Sequence, residues 1–310
     1  MMMPTHRPDV TGFLRVIAMM LAMFSPTEAQ AEEPARLREL SAATSWIYQL
    51  QELVPARIAR TSADVAVVDM AQNGSTLPLS RSDVERMRVK PDGTRRIVLA
   101  YLSIGEAEDY RFYWHRNWRY APPEWLGEEN PDWPGNYQVE FWHPQWQAIL
   151  FGGPRSYLDQ IQSAGFDGVY LDRVDAFAHG FAQDARKYQM RELVSRLAAY
   201  ARMRDPGFLV VAQNGEELLS DPEYRRVLDG FAKEDLFFGV NGDGVPNSKA
   251  EIRSSLRYIM TLLNEGKPVF VVEYLRDATA IEAAEGYADL LGVPLYFAQR
   301  ELDDVYSLQQ

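Results

Sequence analysis

The sequence predicts an α/β fold, a (β/α)8 barrel, and three observations support this prediction. Eight short apolar runs recur along a chain of 310 residues, with helical patterns between them. The runs are continuously apolar, which is typical of parallel strands buried on both faces. About 279 residues remain once a leader of 31 residues is set aside, which is enough for such a barrel. A doubly wound open sheet is the alternative, but neither a GxGxxG after the first strand nor a Walker A sequence is present.

The composition is that of a globular protein with an acidic balance. The chain is 46% hydrophobic, and its 44 Asp and Glu residues outnumber 32 Lys and Arg, for a net charge of −12. Nucleic-acid binding needs clustered positive charge, so we expect no nucleic-acid partner. The acidic balance suits a cationic substrate, although solubility alone would also explain it. There is no cysteine, and the four histidines have no metal-ligand spacing, so neither metal nor cofactor is expected.

The first 31 residues have the pattern of a secretory signal peptide. A basic lead ending at Arg15 precedes the apolar run Val16–Phe24, and Ala29 and Ala31 form an A-x-A cleavage site. The run is too short to cross a bilayer as a helix, and no later stretch is long and apolar enough. We therefore expect a secreted or periplasmic protein without a membrane span, with one catalytic domain over residues 32–310.

The predicted strands are rich in Val, Ile, Leu, Tyr and Phe. In chain order they are Trp46–Gln51, Val65–Met70, Ile97–Leu102, Gly168–Leu171, Phe208–Gln213, Gly230–Lys233, Pro268–Tyr274 and Pro294–Ala298.

Helical patterns fill the intervals between these strands. Asp184–Arg204 and Ser248–Glu265 each place apolar side chains on one helical face. Two overlapping capping-box patterns begin at Ser80 and Ser82 and predict a helix start there. Strands that alternate with helices in this way predict parallel βαβ units.

Polar residues, most of them carboxylates, cluster where the predicted strands end. In a barrel these ends meet at one face, where the active site lies. A single acid at such a place is about as easily a helix cap as a catalytic group, but the pattern recurs at several strand ends. The candidates are Asp69, Tyr101, Glu106, Asp172, Arg173, Asp175, Asn214, Glu234 and Glu273.

Two carboxyl groups in one cleft are what glycoside hydrolysis requires, one protonated and one ionised. No GxSxG elbow is present for a serine hydrolase. Two alternatives stay open at this point. One is a carboxylate-metal hydrolase using His143 or His179, and the other is a non-catalytic polysaccharide-binding barrel.

An aromatic insertion separates the third and fourth predicted strands. Tyr110–Trp146 holds twelve aromatic residues in 37 positions, and its prolines predict an irregular loop. Rings on such a loop could stack on sugars. Alternatively, they could pack together as a small separate apolar cluster that holds the loop against the barrel. The candidates for sugar contact are Tyr113, Trp114 and Trp142.

Three long runs carry a family resemblance. Ala100–Trp114, Gly165–Phe177 and Val210–Leu219 resemble the endo-α-1,4-polygalactosaminidase family of glycoside hydrolases, and the resemblance extends from Trp46 to about Gln299. It implies a (β/α)8 barrel, export, and retaining endo-cleavage of α-1,4-linked galactosamine chains, with a different hexosamine polymer as the alternative substrate. The expected partner is therefore a cationic polysaccharide, acted on by a monomer.

The resemblance also implies roles for individual residues. Asp172 in the run YLDRVD matches the family's essential aspartate and would be the nucleophile. Glu234 in FAKEDLFF best matches the essential glutamate and would be the acid/base. The positions implied for the substrate cleft are Asp69, Tyr101, Glu106, Arg173, Asp175 and Asn214.

Overall fold

The fold is a nearly closed parallel barrel, which confirms the prediction. The computed structural model describes residues 34–72, 77–179 and 182–306. Within these residues eight parallel strands follow each other around one sheet in chain order. They are β1 (Trp46–Gln49), β2 (Val65–Val68), β3 (Ile97–Ser103), β4 (Gly168–Asp172), β5 (Leu209–Gln213), β6 (Gly230–Glu234), β7 (Val269–Glu273) and β8 (Leu295–Phe297). The predicted signal segment, residues 1–31, lies outside the described residues.

Helices alternate with these strands, because apolar faces at helical spacing pack against the barrel. Lys249–Asn264 buries Ile252, Leu256 and Ile259. The helices are Ala35–Ser41, Pro55–Ile58, Arg81–Arg88, Pro144–Leu150, Tyr157–Ala164, Gln183–Arg204, Pro222–Val227, Lys249–Asn264 and Ala278–Leu291, with 3₁₀ turns at Arg116–Arg119, Val174–Ala178 and Glu216–Ser220.

Of the two overlapping capping boxes, only the first is formed. The Ser80 hydroxyl accepts from the Asp83 backbone N–H, and the Asp83 carboxylate accepts from that of Ser80. The pattern that begins at Ser82 does not cap, because Ser82 already lies inside the helix Arg81–Arg88. Two interleaved patterns cannot both start one helix, and the structure selects the earlier.

Contacts between the first and last strands bring the barrel ends together. The Trp46 ring of β1 lies 5.9 Å from that of Tyr296 in β8, and its Nε1 donates to the Val271 carbonyl. Beyond the strands, the Leu302 carbonyl accepts from the N–H groups of Leu50 and Gln51 at 2.8 and 3.0 Å. The segment after β8 is therefore tied to the carboxyl end of β1.

The aromatic insertion is more regular than the predicted loop. Glu106–Glu108, Asn136–Val139 and Leu126–Glu129 form a three-stranded antiparallel sheet in that order. The prolines do not prevent it, because they lie between the strands or at the first position of the helix Pro144–Leu150, where no N–H bond is lost. The prediction of an irregular loop was wrong for this reason.

Candidate active site

The carboxyl ends of the barrel strands surround a cavity of about 600 Å³. Its floor holds Asp172 and Glu234, the last residues of β4 and β6, with Gln213 at the end of β5 between them. Tyr101 of β3 and Tyr274, directly after β7, complete the inner ring. Side chains from successive strand ends therefore converge as the barrel prediction requires.

A single amide bridges the two carboxylates. Gln213 Nε2 donates to Asp172 Oδ1 at 3.0 Å and to Glu234 Oε2 at 2.7 Å. Because both oxygens contact the same nitrogen, they lie at most about 5.7 Å apart, the sum of these two distances. The two groups are close enough to act on opposite sides of one bond.

Further donors fix the orientation of each carboxylate. The Tyr101 hydroxyl donates to Asp172 Oδ2 at 2.7 Å. Asn214 Nδ2 donates to Glu234 Oε2 at 3.0 Å, and the Tyr274 hydroxyl donates to Glu234 Oε1. Locked rotamers of this kind are what a catalytic group needs before substrate arrives.

Burial changes the acidity of both groups. It raises the pKa of Asp172 to about 7, and the neighbouring charge of Glu234 adds to this rise. Burial also raises the pKa of Glu234, although the hydrogen bond from Tyr274 acts in the opposite direction. Two carboxyl groups this close titrate as a pair. The pair therefore binds a proton more readily than two exposed carboxylates would, and the assignment of acid and nucleophile does not follow from the pKa shifts.

The residue that follows each of these strand ends has a left-handed backbone. Arg173, Asn214 and Asp235 have φ of 56°, 57° and 54°. This conformation is costly for Arg173 and less so for Asn214 and Asp235, whose short polar side chains tolerate it. Arg173 Nη2 lies 2.9 Å from Glu106 Oε1, and Arg300 contacts both carboxylate oxygens of Asp235 at 3.0 Å. At each of these three positions the chain turns away directly after a residue whose side chain lines the cavity.

Tyr274 is itself held by a cation. The guanidinium of Arg300 lies 4.3 Å from the centre of the Tyr274 ring, and it also pairs with Asp235 and Asp243. A cation over a ring is attracted to its π-face, which fixes the ring in place. The Tyr274 hydroxyl is thereby directed at Glu234.

We expect Tyr274→Phe to move the alkaline limb of the pH–rate profile to higher pH. The hydroxyl stabilises the ionised form of Glu234, so its loss raises the pKa of that carboxyl and the pair keeps its last proton to higher pH. Tyr224→Phe is the matched control, because Tyr224 is buried, lies outside the cavity and has no hydrogen-bond partner among the described residues. An unchanged limb in Tyr274→Phe would show that this hydroxyl does not tune the pair.

Glu106 is a structural anchor at the cavity wall. Its side chain is buried, and besides Arg173 it accepts from Asn130 Nδ2 at 2.9 Å and Asn136 Nδ2 at 3.5 Å. Both asparagines belong to the hairpin of the aromatic insertion. Glu106 therefore couples that hairpin to the residue next to Asp172.

Asp69 lies in a second buried network. Both its oxygens accept from Arg111 Nη1 at 2.8 and 2.7 Å, and Arg111 Nε donates to Glu108 at 2.6 Å. Burial raises the pKa of Asp69 even though Arg111 opposes this. Arg111 is held between the two acids, so its guanidinium offsets one of their two negative charges.

Several predicted site residues lie outside the cavity lining. Tyr113 is buried, and its hydroxyl accepts from the Glu108 N–H at 2.9 Å. Glu273 is fully buried and accepts from the N–H groups of Phe237 and Phe238, while burial raises its pKa to about 8. Asp175 is half-exposed beyond Arg173.

The two predicted tryptophans also pack elsewhere. Trp114 lies against Trp118 and Tyr137, with ring centres 5.2 and 4.8 Å away. Trp142 lies under the guanidinium of Arg186 and lines a smaller neighbouring cavity of about 190 Å³. Their role in substrate contact stays a prediction, and the geometry of Trp114 favours packing.

Other cavity residues were not among the predicted site residues. Gln213 and Tyr274 stand among the polar residues at the predicted strand ends, but the sequence did not single them out for a role. Arg111, Arg300 and Trp133 come from connecting segments, where no periodicity marks the side that faces the cavity.

Across residues 34–72, 77–179 and 182–306, no three His, Asp or Glu side chains are grouped so that they could hold a metal ion. Within the same residues, no helix has both the length and the apolar character needed to cross a membrane.

A parallel barrel with a half-buried, hydrogen-bonded carboxylate pair at its C-terminal face has the architecture of a barrel glycoside hydrolase. The chain belongs to glycoside-hydrolase family GH114, whose family model matches residues 26–310. It is therefore a glycoside hydrolase, which favours the first of the three functions left open by the sequence.

Relatives and solved structures agree with this membership. Uncharacterised proteins of Thermotoga maritima and Deinococcus radiodurans are 37% and 34% identical over 76% and 90% of this chain, and over 72% and 87% of their own lengths. The structure of Aspergillus fumigatus Ega3 in complex with galactosamine has a TM-score of 0.65 at 20% identity, covering 90% of this chain and 98% of that one. The glycoside hydrolase domain of Pseudomonas aeruginosa PelA has a TM-score of 0.65 at 17% identity, covering 85% and 97%. These structures share the barrel fold.

Proposed function

We propose that this protein is an exported enzyme that cleaves α-1,4-linked, partly deacetylated galactosamine polymers within the chain and with retention of configuration. The observation that carries the proposal is the Asp172–Glu234 pair bridged by Gln213. The complex of Ega3 with galactosamine supports the choice of sugar.

The separation of the pair supports retention. Retaining glycosidases hold their carboxyl groups about 5–5.5 Å apart, whereas inverting enzymes leave about 6.5–9.5 Å for a water. The bridged oxygens, at most about 5.7 Å apart, leave no such room between them. A direct attack by one carboxylate fits this spacing.

The charge of the cavity supports a cationic sugar. Seven carboxylates line it against three guanidinium groups. Arg111, Arg173 and Arg300 each already pair with an acid, whereas Glu52 and Glu301 have no ion-pair partner in the part of the chain that the structure describes. The positively charged amino groups of a deacetylated polymer would be attracted to this excess of negative charge, and acetylation would remove that attraction.

In the proposed mechanism Asp172 forms a covalent bond to the substrate and Glu234 transfers the proton. Ionised Asp172 attacks the anomeric carbon while the bond to the leaving oxygen breaks, and Glu234 gives its proton to that oxygen. Glu234 then takes a proton from water, whose oxygen attacks the anomeric carbon and releases Asp172. Tyr101 and Gln213 hold the attacking carboxylate throughout, and no cofactor enters either step.

The test is the release of new reducing ends. We expect the protein to release them from partly deacetylated α-1,4-galactosaminogalactan, more slowly from the fully acetylated polymer, and not from amylose. Release from amylose at the same rate would contradict the proposed sugar specificity. Binding of the polymer without any release would contradict the proposed reaction.

Export is tested separately by the N-terminus of the mature protein. Cleavage after Ala31 would leave Glu32 as the first residue. We expect N-terminal sequencing of protein recovered from the periplasm or medium of a bacterial host to begin EEPARL. Full-length protein retained with the cytoplasmic fraction would contradict export.

A further inference from the structure

The catalytic cavity has an exposed tryptophan at its edge. Trp133 is 49% exposed and lines the cavity together with Pro134 and Asn136. Among the described residues its ring has no aromatic or cation partner. The other tryptophans are buried or packed against the core: Trp46, Trp114, Trp118, Trp125, Trp142 and Trp146.

The turn that carries Trp133 is held by a backbone hydrogen bond and by close packing at Gly135. It joins Leu126–Glu129 to Asn136–Val139, and Asn130 closes it with a 2.7 Å bond from its N–H to the Asn136 carbonyl. Gly135 has φ of 91°, and a Cβ there would meet Asp109 Oδ1 at 3.0 Å. The exposed ring is therefore presented by an ordered hairpin.

The hairpin is also fixed relative to the reacting carboxylates. Asn130 and Asn136 both donate to Glu106, which pairs with Arg173, the neighbour of Asp172 in the chain. This chain of contacts ties the hairpin to the backbone next to Asp172. Trp133 lines the same cavity as Asp172, but it stands on the insertion and takes no part in the hydrogen-bonded network around the carboxylate pair.

Resting on the proposed function, we propose that Trp133 is the stacking residue for a sugar unit adjacent to the one that is cleaved. The C–H face of a pyranose packs on an indole ring, and an ammonium group is attracted to the same π-face. The site takes a 2-amino sugar of the polymer chain, not the sugar at the reacting bond. Its contribution is to substrate affinity and therefore to KM.

The experiment compares Trp133→Ala and Trp133→Phe with the wild-type protein on partly deacetylated α-1,4-galactosaminogalactan. We expect Trp133→Ala to raise KM about tenfold with kcat nearly unchanged, and Trp133→Phe to retain part of the affinity. Tyr120→Ala is the matched control, because Tyr120 is 90% exposed on the same insertion and does not line the cavity. Its KM should equal that of the wild type.

Two measurements together separate this inference from the proposed reaction. One is the KM of the active variants, and the other is polymer binding to the inactive Asp172→Asn protein with and without Trp133→Ala. If the wild-type protein cleaves the polymer and Trp133→Ala has the same KM as Tyr120→Ala, the stacking site is wrong and the function stands. Equal losses of kcat and kcat/KM would place Trp133 in the reaction step and would also overturn the inference.

If nothing is cleaved but polymer binding to Asp172→Asn depends on Trp133, the stacking site stands and the reaction is wrong. No binding and no cleavage would overturn both.

Discussion

Replacing Asp172 by Asn should leave the fold intact and lower hydrolysis by about a thousandfold or more. The amide has nearly the same shape and can still accept from Tyr101, but it cannot attack the anomeric carbon. The free energy of unfolding should not fall, because burial already raises the pKa of Asp172 to about 7 and the variant removes a buried charge. Circular dichroism and thermal unfolding check the fold, and a reducing-end assay checks the rate.

The role of Asp172 is resolved further by Asp172→Gly with added azide. An azide ion can occupy the space that the side chain leaves and attack the anomeric carbon from the same face. We expect a glycosyl azide of inverted configuration. Normal hydrolysis by Asp172→Asn or Asp172→Gly without azide would contradict the assignment of the nucleophile.

Replacing Glu234 should give an equally large loss on the polymer but a different dependence on the leaving group. Glu234→Ala lacks the proton donor, so cleavage of an ordinary glycosidic bond should fall by about a thousandfold. A substrate with a nitrophenol leaving group needs no proton, so its first step should stay fast and a glycosyl-enzyme should accumulate. Azide should then release a glycosyl azide of retained configuration.

The opposite stereochemistry of the two azide products separates the roles of the two carboxyl groups. Asp235 provides a matched comparison for Glu234, since it is the next residue and pairs with Arg300 outside the bridged pair. Asp235→Asn should keep most of its activity. Azide products of exchanged configuration would reverse the assignment of nucleophile and acid/base.

The barrel could be predicted because its signal is local. Runs such as Val65–Val68 are apolar at every position, and a strand buried on both faces needs no other information. Asp172 could be placed at the reacting face for the same reason, since it directly follows such a run. The family resemblance added the roles of Asp172 and Glu234, which no strand-end pattern distinguishes from those of nearby acids.

The contacts that set the chemistry depend on how distant segments meet. The Gln213 bridge depends on strand register, in which Leu171 pairs with Ala212 and Gln213 pairs with Ala232, two residues before Glu234. The left-handed backbone at Arg173 and Asp235 could not be predicted from the sequence, because arginine rarely adopts it and aspartate does so only occasionally. Contacts with Glu106 and Arg300, more than sixty positions away, hold both residues.

The sequence could not show which tryptophan of the insertion faces the cavity. Trp114 and Trp133 lie in the same aromatic insertion, and both have charged and aromatic neighbours. Trp114 packs against Tyr137 once the insertion forms its antiparallel sheet, whereas Trp133 is left in the turn between two strands. Only the pairing of those strands decides which ring faces the cavity.

The most direct test of the central claim is the configuration of the first product. Partly deacetylated α-1,4-galactosaminogalactan is mixed with the protein, and the anomeric protons of the new reducing ends are followed by NMR from the first minutes. We expect the α anomer to appear first and the β anomer to follow by mutarotation, because the Asp172–Glu234 spacing favours two successive displacements. The β anomer appearing first, or no new reducing end at all, would contradict retaining cleavage by this pair.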